Sequence, residues 1–428
     1  MPPKKASVIP MTTKMQRCRT SLVLALALCW LACESHAVGT WQGGLPAERE
    51  VETGNVNVSE FTVLDTGGSG GMFGQGDLRK NLLDVAFWTG GRRGVACGSA
   101  GAFYTEDGGV TWKRIRRNPR KEYGRPGIMY YGAGMSGPRE VWLAEGRHPG
   151  RGRHLWYSSD AGQTWKDVSD RFPGPFKAVS DLIVRGDDIW LPAGAHWSFS
   201  YRSDDGGKTW SRLSVLPGVR NTHQAAAAPP SAETLQTVYV LGQDGQRDPV
   251  LARTDDGGRT WRRVSFLSAE RLPGPVWRCR MAFGTSDAGM IALPAAGMKR
   301  RGHGVVEKDP GATVSVLVTT DGGDSWVRRN LPNEEFEPRA LWVDPENPRH
   351  ALLGVSNGWV KQKGGPREGP ALYETFDAGR TWGVVIRGRP QINAICGLDG
   401  RRVWAVGDLV GFQANDVVAI LTEPGAGR

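Results

Sequence analysis

Short apolar runs separated by glycine-rich turns recur along most of this chain. The clearest group has apolar runs at 82–87, 94–97, 102–104 and 112–115. Runs of this length bounded by turn residues are typical of β-strands, and four such strands joined by turns are typical of one propeller blade. Similar groups follow at about 127–168, 178–213, 221–264, 275–328 and 338–386. The pattern predicts an all-β protein built from repeated four-stranded units.

An eight-residue motif, [ST]-x-D-[GA]-G-x-[TS]-W, lies between the last two strands of each group. Its aspartates recur at steps of 45 to 65 residues, a period that indicates radially repeated blades. Asp can accept hydrogen bonds from the following main-chain N–H groups, Gly tolerates positive φ, and Trp buries a large face. A residue repeated in every unit is therefore predicted to build the unit rather than to catalyse. The six boxes lie at 105–112, 158–165, 203–210, 254–261, 319–326 and 375–382, with Asp107, Asp160, Asp205, Asp256, Asp321 and Asp377.

The two ends of the chain carry complementary incomplete patterns. The last group has three apolar runs, at 392–396, 403–406 and 417–421, and no box, whereas the run at 59–65 has no group of its own. Pairing these runs would remove exposed sheet edges, which otherwise invite aggregation. We therefore predict a seven-bladed β-propeller of four-stranded antiparallel blades over residues 59–428, closed by pairing of the N- and C-terminal strands. Six or eight blades stay open, because residues 219–264 are poorly patterned.

The N-terminal segment has the pattern of an export signal. Five basic residues precede an apolar core at 21–32, and Ser35-His36-Ala37 fits a small-x-small cleavage site. We predict a signal peptide over residues 1–37, a flexible lead-in over 38–58, and an exported protein that is periplasmic or secreted. The alternatives are an uncleaved anchor and a lipoprotein made at Cys33. No apolar run in the mature chain is long enough to span a membrane.

Charge and cysteine content narrow the function classes. The 428-residue chain has a formal net charge of +10 and stays basic after loss of residues 1–37. Because the protein is predicted to be exported, nucleic acid is a poor candidate partner. Cys97, Cys279 and Cys396 show no CxxC pair, and no histidines have a recognised ligand spacing. We therefore predict no metal site and no cofactor, and leave open a Cys97–Cys396 disulfide or free thiols.

Basic residues cluster in the segments predicted to connect the strands. In a propeller, the connectors between blades and the loops between second and third strands share one face, and the boxes lie on the other. Arg dominates these clusters, and its planar fork suits carboxylates and phosphates. The predicted partner is an acidic protein segment or another anionic component of the cell envelope. The candidate binding residues are Arg116, Arg117, Arg120, Arg151, Arg153, Arg300, Arg301, His303 and Arg367.

The boxes resemble the Asp-box repeat, also called BNR or sialidase-type repeat. Residues 82–112 as a whole, and the VWAVG phrase at 403–407, are similar in wording to the photosystem II stability/assembly factor family. The resemblance implies that each box joins the third and fourth strands of a blade, away from any active site. It also implies a seven-bladed propeller that binds protein through an Arg-rich face and has no catalytic activity.

A glycan-active hydrolase of the Asp-box superfamily is the alternative function. Sialidase chemistry would need an arginine triad, a Tyr–Glu pair and an acid/base Asp. The Arg-Ile-Pro phrase of such sialidases is absent from this chain. Tyr130 or Tyr131 on the first strand of the second group and Glu145 on its second strand are the candidates for a Tyr–Glu pair. Their convergence beside arginine in a central pocket would favour the hydrolase.

Overall fold

The computed structural model describes the repeated part of the chain, within a single compact unit, Glu48–Arg428. Residues 1–60, and so the predicted signal peptide and lead-in, lie outside the described ranges. The structure describes residues 61–65, 82–99, 101–117, 129–146, 152–174, 181–192, 199–214, 219–228, 234–246, 248–264, 276–294, 299–301, 305–307, 314–331, 337–356, 369–388, 390–409 and 416–421.

Six antiparallel blades are each formed by strands that follow one another in the chain, in spatial order first to fourth. Each fourth strand is the outermost of its blade. Blade 1 contains Leu82–Phe87, Gly94–Gly98, Gly101–Thr105 and Lys113–Arg117; blade 2 contains Met129–Met135, Val141–Gly146, Gly152–Ser158 and Lys166–Asp167; blade 3 contains Ile183–Arg185, Asp188–Pro192, Phe199–Ser203 and Ser211–Ser214.

The other three blades follow the same order, with one insertion. A two-stranded hairpin, Lys299–Arg301 with Val305–Glu307, lies between the second and third strands of blade 5. Short 3₁₀ helices at Ser169–Arg171 and Val276–Arg278 precede the first strands of blades 3 and 5. Blade 4 contains Val219–Ala227, Val238–Asp244, Pro249–Thr254 and Arg262–Val264; blade 5 contains Arg280–Phe283, Gly289–Leu293, Ser315–Thr319 and Val327–Asn330; blade 6 contains Glu337–Val343, Ala351–Ser356, Gly369–Thr375 and Gly383–Gly388.

A further four-stranded sheet, which we name the closing sheet, joins both ends of the described chain. Pro390–Asp399, Arg402–Leu409 and Asp416–Leu421 are followed outward by Phe61–Asp65, which pairs antiparallel with Asp416–Leu421. The prediction of a seven-bladed propeller is wrong: this topology has six blades. Six blades are continuous in sequence and carry a box, and the closing sheet is a composite unit without one. The cause is that its outermost strand comes from the other end of the chain, so no turn follows its third strand.

Neighbouring blades are held together by apolar layers between their faces. Blades 2 and 3 share a cluster that includes Trp142, Leu155, Phe172 and Tyr201, and equivalent layers lie at the other junctions. First strands also contact those of the next blade, and the closing sheet contacts both blade 6 and blade 1. Because each blade buries both faces, the continuous core forms a ring rather than a central cluster.

Among the described residues, no helix has the length and hydropathy that a membrane-spanning segment requires.

The box is a self-contained turn in all six blades. In box 1 the Thr105 hydroxyl donates to Asp107 Oδ1 (2.8 Å) and accepts from the Gly109 N–H (2.9 Å), and Asp107 accepts from the Thr111 N–H (2.9 Å). Two consecutive residues have positive φ, and Ala161 and Ala378 replace glycine at the first of these positions. The N–H at this first position donates to the loop between first and second strands of the same blade, as from Gly108 to the Arg92 carbonyl (2.8 Å). The boxes therefore lie at the ends of the blades where first and second strands are joined. We name this face the box face and the opposite one the connector face.

Candidate functional site

Polar side chains form hydrogen bonds between the first strands of neighbouring blades. Asp84 accepts from the N–H of Ala133 in the next blade (2.8 Å), and Gln224 accepts from that of Met281 (2.8 Å). Arg280 donates to the carbonyl of Arg339 (2.5 Å). A β-bulge precedes or includes these positions in several first strands, which frees main-chain groups for such contacts. These hydrogen bonds join successive blades, whose sheets are not joined by main-chain strand pairing.

Two buried carboxyl groups near these first strands have pKa values above that of an exposed aspartate. Burial raises the pKa of Asp84 to about 8, against the hydrogen bonds from Ala133 and Val85, and the nearby Asp181 raises it further. Burial also raises the pKa of Asp181 to about 6. The thiols of Cys97 and Cys396, whose pKa values burial raises, also lie within electrostatic range of Asp84. Cys97 and Cys396 are free thiols in this structure.

Asp84 should therefore give the stability of the protein a distinct pH dependence. Its folded-state pKa lies above its unfolded value of 3.8, so its contribution is complete below that value and is lost as pH rises through about 8. Relative to wild type, an Asp84→Asn variant should gain about 4 kcal/mol of unfolding free energy between pH 5 and pH 8. Urea unfolding at several pH values measures this difference.

Asp205 offers the matched control. Partial burial would raise the pKa of Asp205, but hydrogen bonds with Thr209 and Ser203 outweigh it and hold the pKa at about 2. The carboxyl is therefore ionised in both states above pH 5. An Asp205→Asn variant should differ from wild type by an amount that does not change between pH 5 and pH 8. A flat difference for Asp84→Asn as well would contradict the assignment of Asp84.

Three arginines and an exposed tryptophan lie together at the connector end of blades 5 and 6. We name this group the channel mouth; its members are Trp277, Arg278, Arg280 and Arg339. Trp277, in the 3₁₀ helix before blade 5, is 50% exposed, and the Arg278 guanidinium lies 4.8 Å from its ring centroid. Glu337, at the start of blade 6, approaches Arg278 (3.3 Å) and Arg339 (3.8 Å). Because Trp277 and Glu337 stand at or before the starts of first strands, the channel mouth opens on the connector face.

The channel mouth has more positive charge than its described carboxylates balance. Arg280 donates to the main-chain carbonyls of Arg339, Trp277 and Cys279 rather than to a carboxylate. Burial, followed by the like charge of Arg339, lowers the pKa of Arg280 to about 10, although the carboxylates of Glu337 and Asp181 act in the opposite direction. A lowered arginine pKa marks a place where an added anion would be stabilised.

The predicted binding residues are placed unevenly by the structure. Arg116 and Arg117 lie in the fourth strand of blade 1, not in the connector where the sequence placed them. The Arg116 Nε donates to the Tyr130 hydroxyl (2.8 Å), and its guanidinium lies 3.7 Å from the Trp156 ring centroid, so it joins blades 1 and 2. Arg117 is exposed. Arg120, Arg151, His303 and Arg367 lie outside the described residues, and only the backbone is described at Arg153, Arg300 and Arg301.

The candidate Tyr–Glu pair is present but lies between blades. Tyr130 and Glu145 face each other in register, and they are 0% and 3% exposed. Glu145 accepts from the Trp156 indole N–H (2.7 Å), and burial raises the pKa of Tyr130 to about 12. Such enclosed groups form no substrate site in this structure. No group of three or more His, Cys, Asp or Glu side chains among the described residues could hold a metal ion.

Sequence reasoning missed the two features that the structure makes most prominent. The channel mouth was not predicted because its residues, among them Trp277, Arg280 and Arg339, form no basic run in the sequence. His350 escaped because its two partners, Asp344 and Glu374, lie 6 and 24 residues away. One signal for the channel mouth was available in the sequence. Polar residues such as Asp84, Gln224 and Arg280 interrupt the apolar pattern of successive first strands.

The six boxes and the six four-stranded blades make this chain an Asp-box repeat β-propeller. The family model for the BNR/Asp-box repeat matches residues 201–212, which contain box 3 and its flanking strand residues. No curated protein matches the chain.

Solved propellers are similar to this chain at low sequence identity. "YCF48 bound to D1 peptide" is 15% identical with a TM-score of 0.56, over 86% of this chain and 99% of that one. "YCF48 from Cyanidioschyzon merolae" is 12% identical with a TM-score of 0.51, over 85% and 99%. A GH74 enzyme of Niastella koreensis is 16% identical with a TM-score of 0.49, over 81% and 52%. At these identities the similarity extends to the fold alone. The fold shared with the two YCF48 structures agrees with the propeller that the resemblance at residues 82–112 implies.

Proposed function

We propose that this protein is an exported, non-catalytic propeller that binds a carboxylate-bearing protein segment at the channel mouth. The observation that carries the proposal is the cluster of Arg278, Arg280 and Arg339 around Glu337, beside the exposed indole of Trp277. Guanidinium groups bind carboxylates through charge-assisted hydrogen bonds, and an exposed tryptophan supplies apolar contact area beside them. Such a combination is typical of residues that dominate protein interfaces.

The similar fold of a peptide-bound YCF48 supports a protein segment as the ligand class. Export rests on the pattern of residues 1–37, and export disfavours nucleic acid as the anion. We therefore assign to the channel mouth the binding of an anionic partner that the sequence analysis assigned to a larger Arg-rich face. The contributions predicted on that face stay predictions for Arg117, Arg120, Arg151, Arg153, Arg300, Arg301, His303 and Arg367.

Binding of a labelled acidic peptide tests the proposal. Fluorescence anisotropy with a fluorescein-labelled penta-glutamate peptide should show saturable, salt-sensitive binding to the wild-type protein, and a penta-glutamine peptide should bind more weakly. Arg339→Gln removes one half-buried guanidinium and should weaken binding about tenfold, the usual effect of losing one charge-assisted contact. Trp277→Ala should also weaken it.

Arg259→Gln is the matched control, because Arg259 is an exposed arginine on the box face. It should bind the acidic peptide as wild type does. Thermal unfolding of each variant verifies that the fold is intact. Equal affinity of wild type and Arg339→Gln, or no preference of wild type for glutamate over glutamine, would refute the proposal.

A further inference from the structure

A cavity lies on the box face, between blades 1 and 2, on the side of the molecule opposite the channel mouth. It has a volume of about 500 Å³ and is lined by Trp88, Thr89, Gly90, Arg92, Arg93, Glu106 and Pro138. The loop between first and second strands of blade 1 supplies five of these residues, and the other two come from box 1 and from blade 2. The cavity size is within the range of small-molecule sites.

The residue that precedes box 1 differs from its counterpart at two other junctions between blades. At two other junctions this position is an arginine that reaches the next blade: Arg202 donates to the Gly257 carbonyl (2.7 Å), and Arg253 approaches Asp287 (3.4 Å). Blade 1 has Tyr104 instead, and its hydroxyl donates to the Pro138 carbonyl (2.7 Å). The junction of blades 1 and 2 therefore has a phenol ring at the position where those two junctions have a guanidinium group.

The loop of blade 1 is held rigidly around this space. Trp88 and Arg93 are joined by a main-chain hydrogen bond (2.9 Å), and the Arg92 carbonyl accepts from the box at Gly108 (2.8 Å). Gly90 and Gly91 have φ of +92° and +73°, which bends the loop back on itself. The side chains of Arg92 and Arg93 are therefore not needed for the loop's main-chain contacts and line the cavity.

The lining combines three kinds of group. Trp88 is half-buried and offers an indole surface, and Pro138 is exposed on the blade 2 side. Arg92 and Arg93 carry positive charge against the single carboxylate of Glu106 among the lining residues. A ligand with only carboxylates would be repelled by Glu106, whereas a ligand with both a carboxylate and hydroxyl groups could use the arginines and Glu106 together.

We propose that this cavity binds a carboxylated sugar ring of the uronic acid class. The carboxylate pairs with Arg92 and Arg93, ring hydroxyls donate to Glu106 and exchange hydrogen bonds with Thr89, and the apolar ring face packs on Trp88. The site is separate from the channel mouth, so the propeller holds a protein segment on one face and an acidic glycan on the other.

Ligand-observed NMR titration with methyl β-D-glucuronide tests the proposal. Wild type should bind the glucuronide about tenfold more tightly than methyl β-D-glucoside, which lacks the charge. Arg92→Gln, an exposed side chain whose main-chain contact is retained, should remove most of this preference. Trp88→Leu should weaken both sugars, as a ring-packing contact requires.

Two matched variants separate this site from other surfaces. Arg259→Gln at box 4 and Arg339→Gln at the channel mouth should bind the glucuronide as wild type does. The proposal is overturned if wild type binds neither sugar, if Arg92→Gln binds the glucuronide as tightly as wild type, or if both sugars bind equally. Equal competition by inorganic phosphate would overturn the sugar-ring assignment.

Discussion

His350→Ala is expected to lower the free energy of unfolding by about 3–5 kcal/mol, the usual result of removing one member of a buried ionic group. His350 lies between two buried carboxylates: its Nδ1 is 3.0 Å from Asp344 and its Nε2 is 2.9 Å from Glu374. The three side chains are at most 5% exposed. Alanine would remove the imidazole that both buried carboxylates contact. Guanidinium chloride unfolding at pH 6 measures the loss.

The pH profile of this variant identifies the cause. Burial lowers the pKa of His350, but hydrogen bonds to Asp344 and Glu374 outweigh burial and raise the pKa to about 9, above the ordinary 6.5. The stabilisation is therefore complete below pH 6.5 and is lost as pH rises through about 9. The difference between wild type and variant should shrink over that window.

Arg349→Ala is the control for this prediction. The Arg349 side chain is exposed, and its structural contact, to the Ala378 N–H, is made by its main-chain carbonyl. The substitution should change the unfolding free energy by no more than about 0.5 kcal/mol. A His350→Ala cost as small as that of Arg349→Ala would mean that the carboxylates find water or protons without penalty.

Gly258→Ala should destabilise the protein by about 3 kcal/mol, from a left-handed backbone and overpacking together. Gly258 has φ of +89°, and an added Cβ would lie 2.6 Å from atoms of both Leu213 and Trp190 in blade 3. Trp190 is fully buried and has no room to move. The substitution should therefore disturb the junction of blades 3 and 4 as well as the turn. Thermal and chemical unfolding measure the change.

Gly108→Ala separates the two causes. Gly108 has φ of +76°, but its added Cβ would meet nothing closer than the Gly91 carbonyl at 3.5 Å. Only the left-handed backbone remains, at a cost of about 1–2 kcal/mol. Ala161 and Ala378 occupy this first position in two boxes, with φ of 59° and 60°. If Gly108→Ala cost as much as Gly258→Ala, the packing against Trp190 would not be the cause.

The repeated turn was predictable because its chemistry is local. Every hydrogen bond that defines box 1 joins residues at most four apart, from Thr105 to Thr111. Strand positions in blade 1 agree with the prediction to within two residues, because turns bound them on both sides. Pairing of the strand at 61–65 with that at 416–421 was also predictable, since each lacked partners nearby.

The candidate site was less predictable because its contacts join different blades. Arg116 was predicted to bind a partner because it lies in a basic run. In the structure its guanidinium packs on Trp156 of the next blade, so it is an inter-blade contact. Arg280 sits in an apolar stretch and gives no signal, although the adjacent blade turns it into part of the channel mouth. Tyr130 and Glu145 were rightly placed on neighbouring strands, but burial between blades was not visible in their spacing.

The sequence by itself determined the strands, the box turns and the ring-like repetition, because these depend on residues close together in the chain. Only the tertiary structure decided which side chains of the described residues are exposed and which side chains lie beside one another. His350, Arg280 and the cavity at Trp88 all depend on what the next strand or blade places beside them. The physical reason is that burial and Coulomb interactions act through space, over a few ångströms, whatever the separation along the chain.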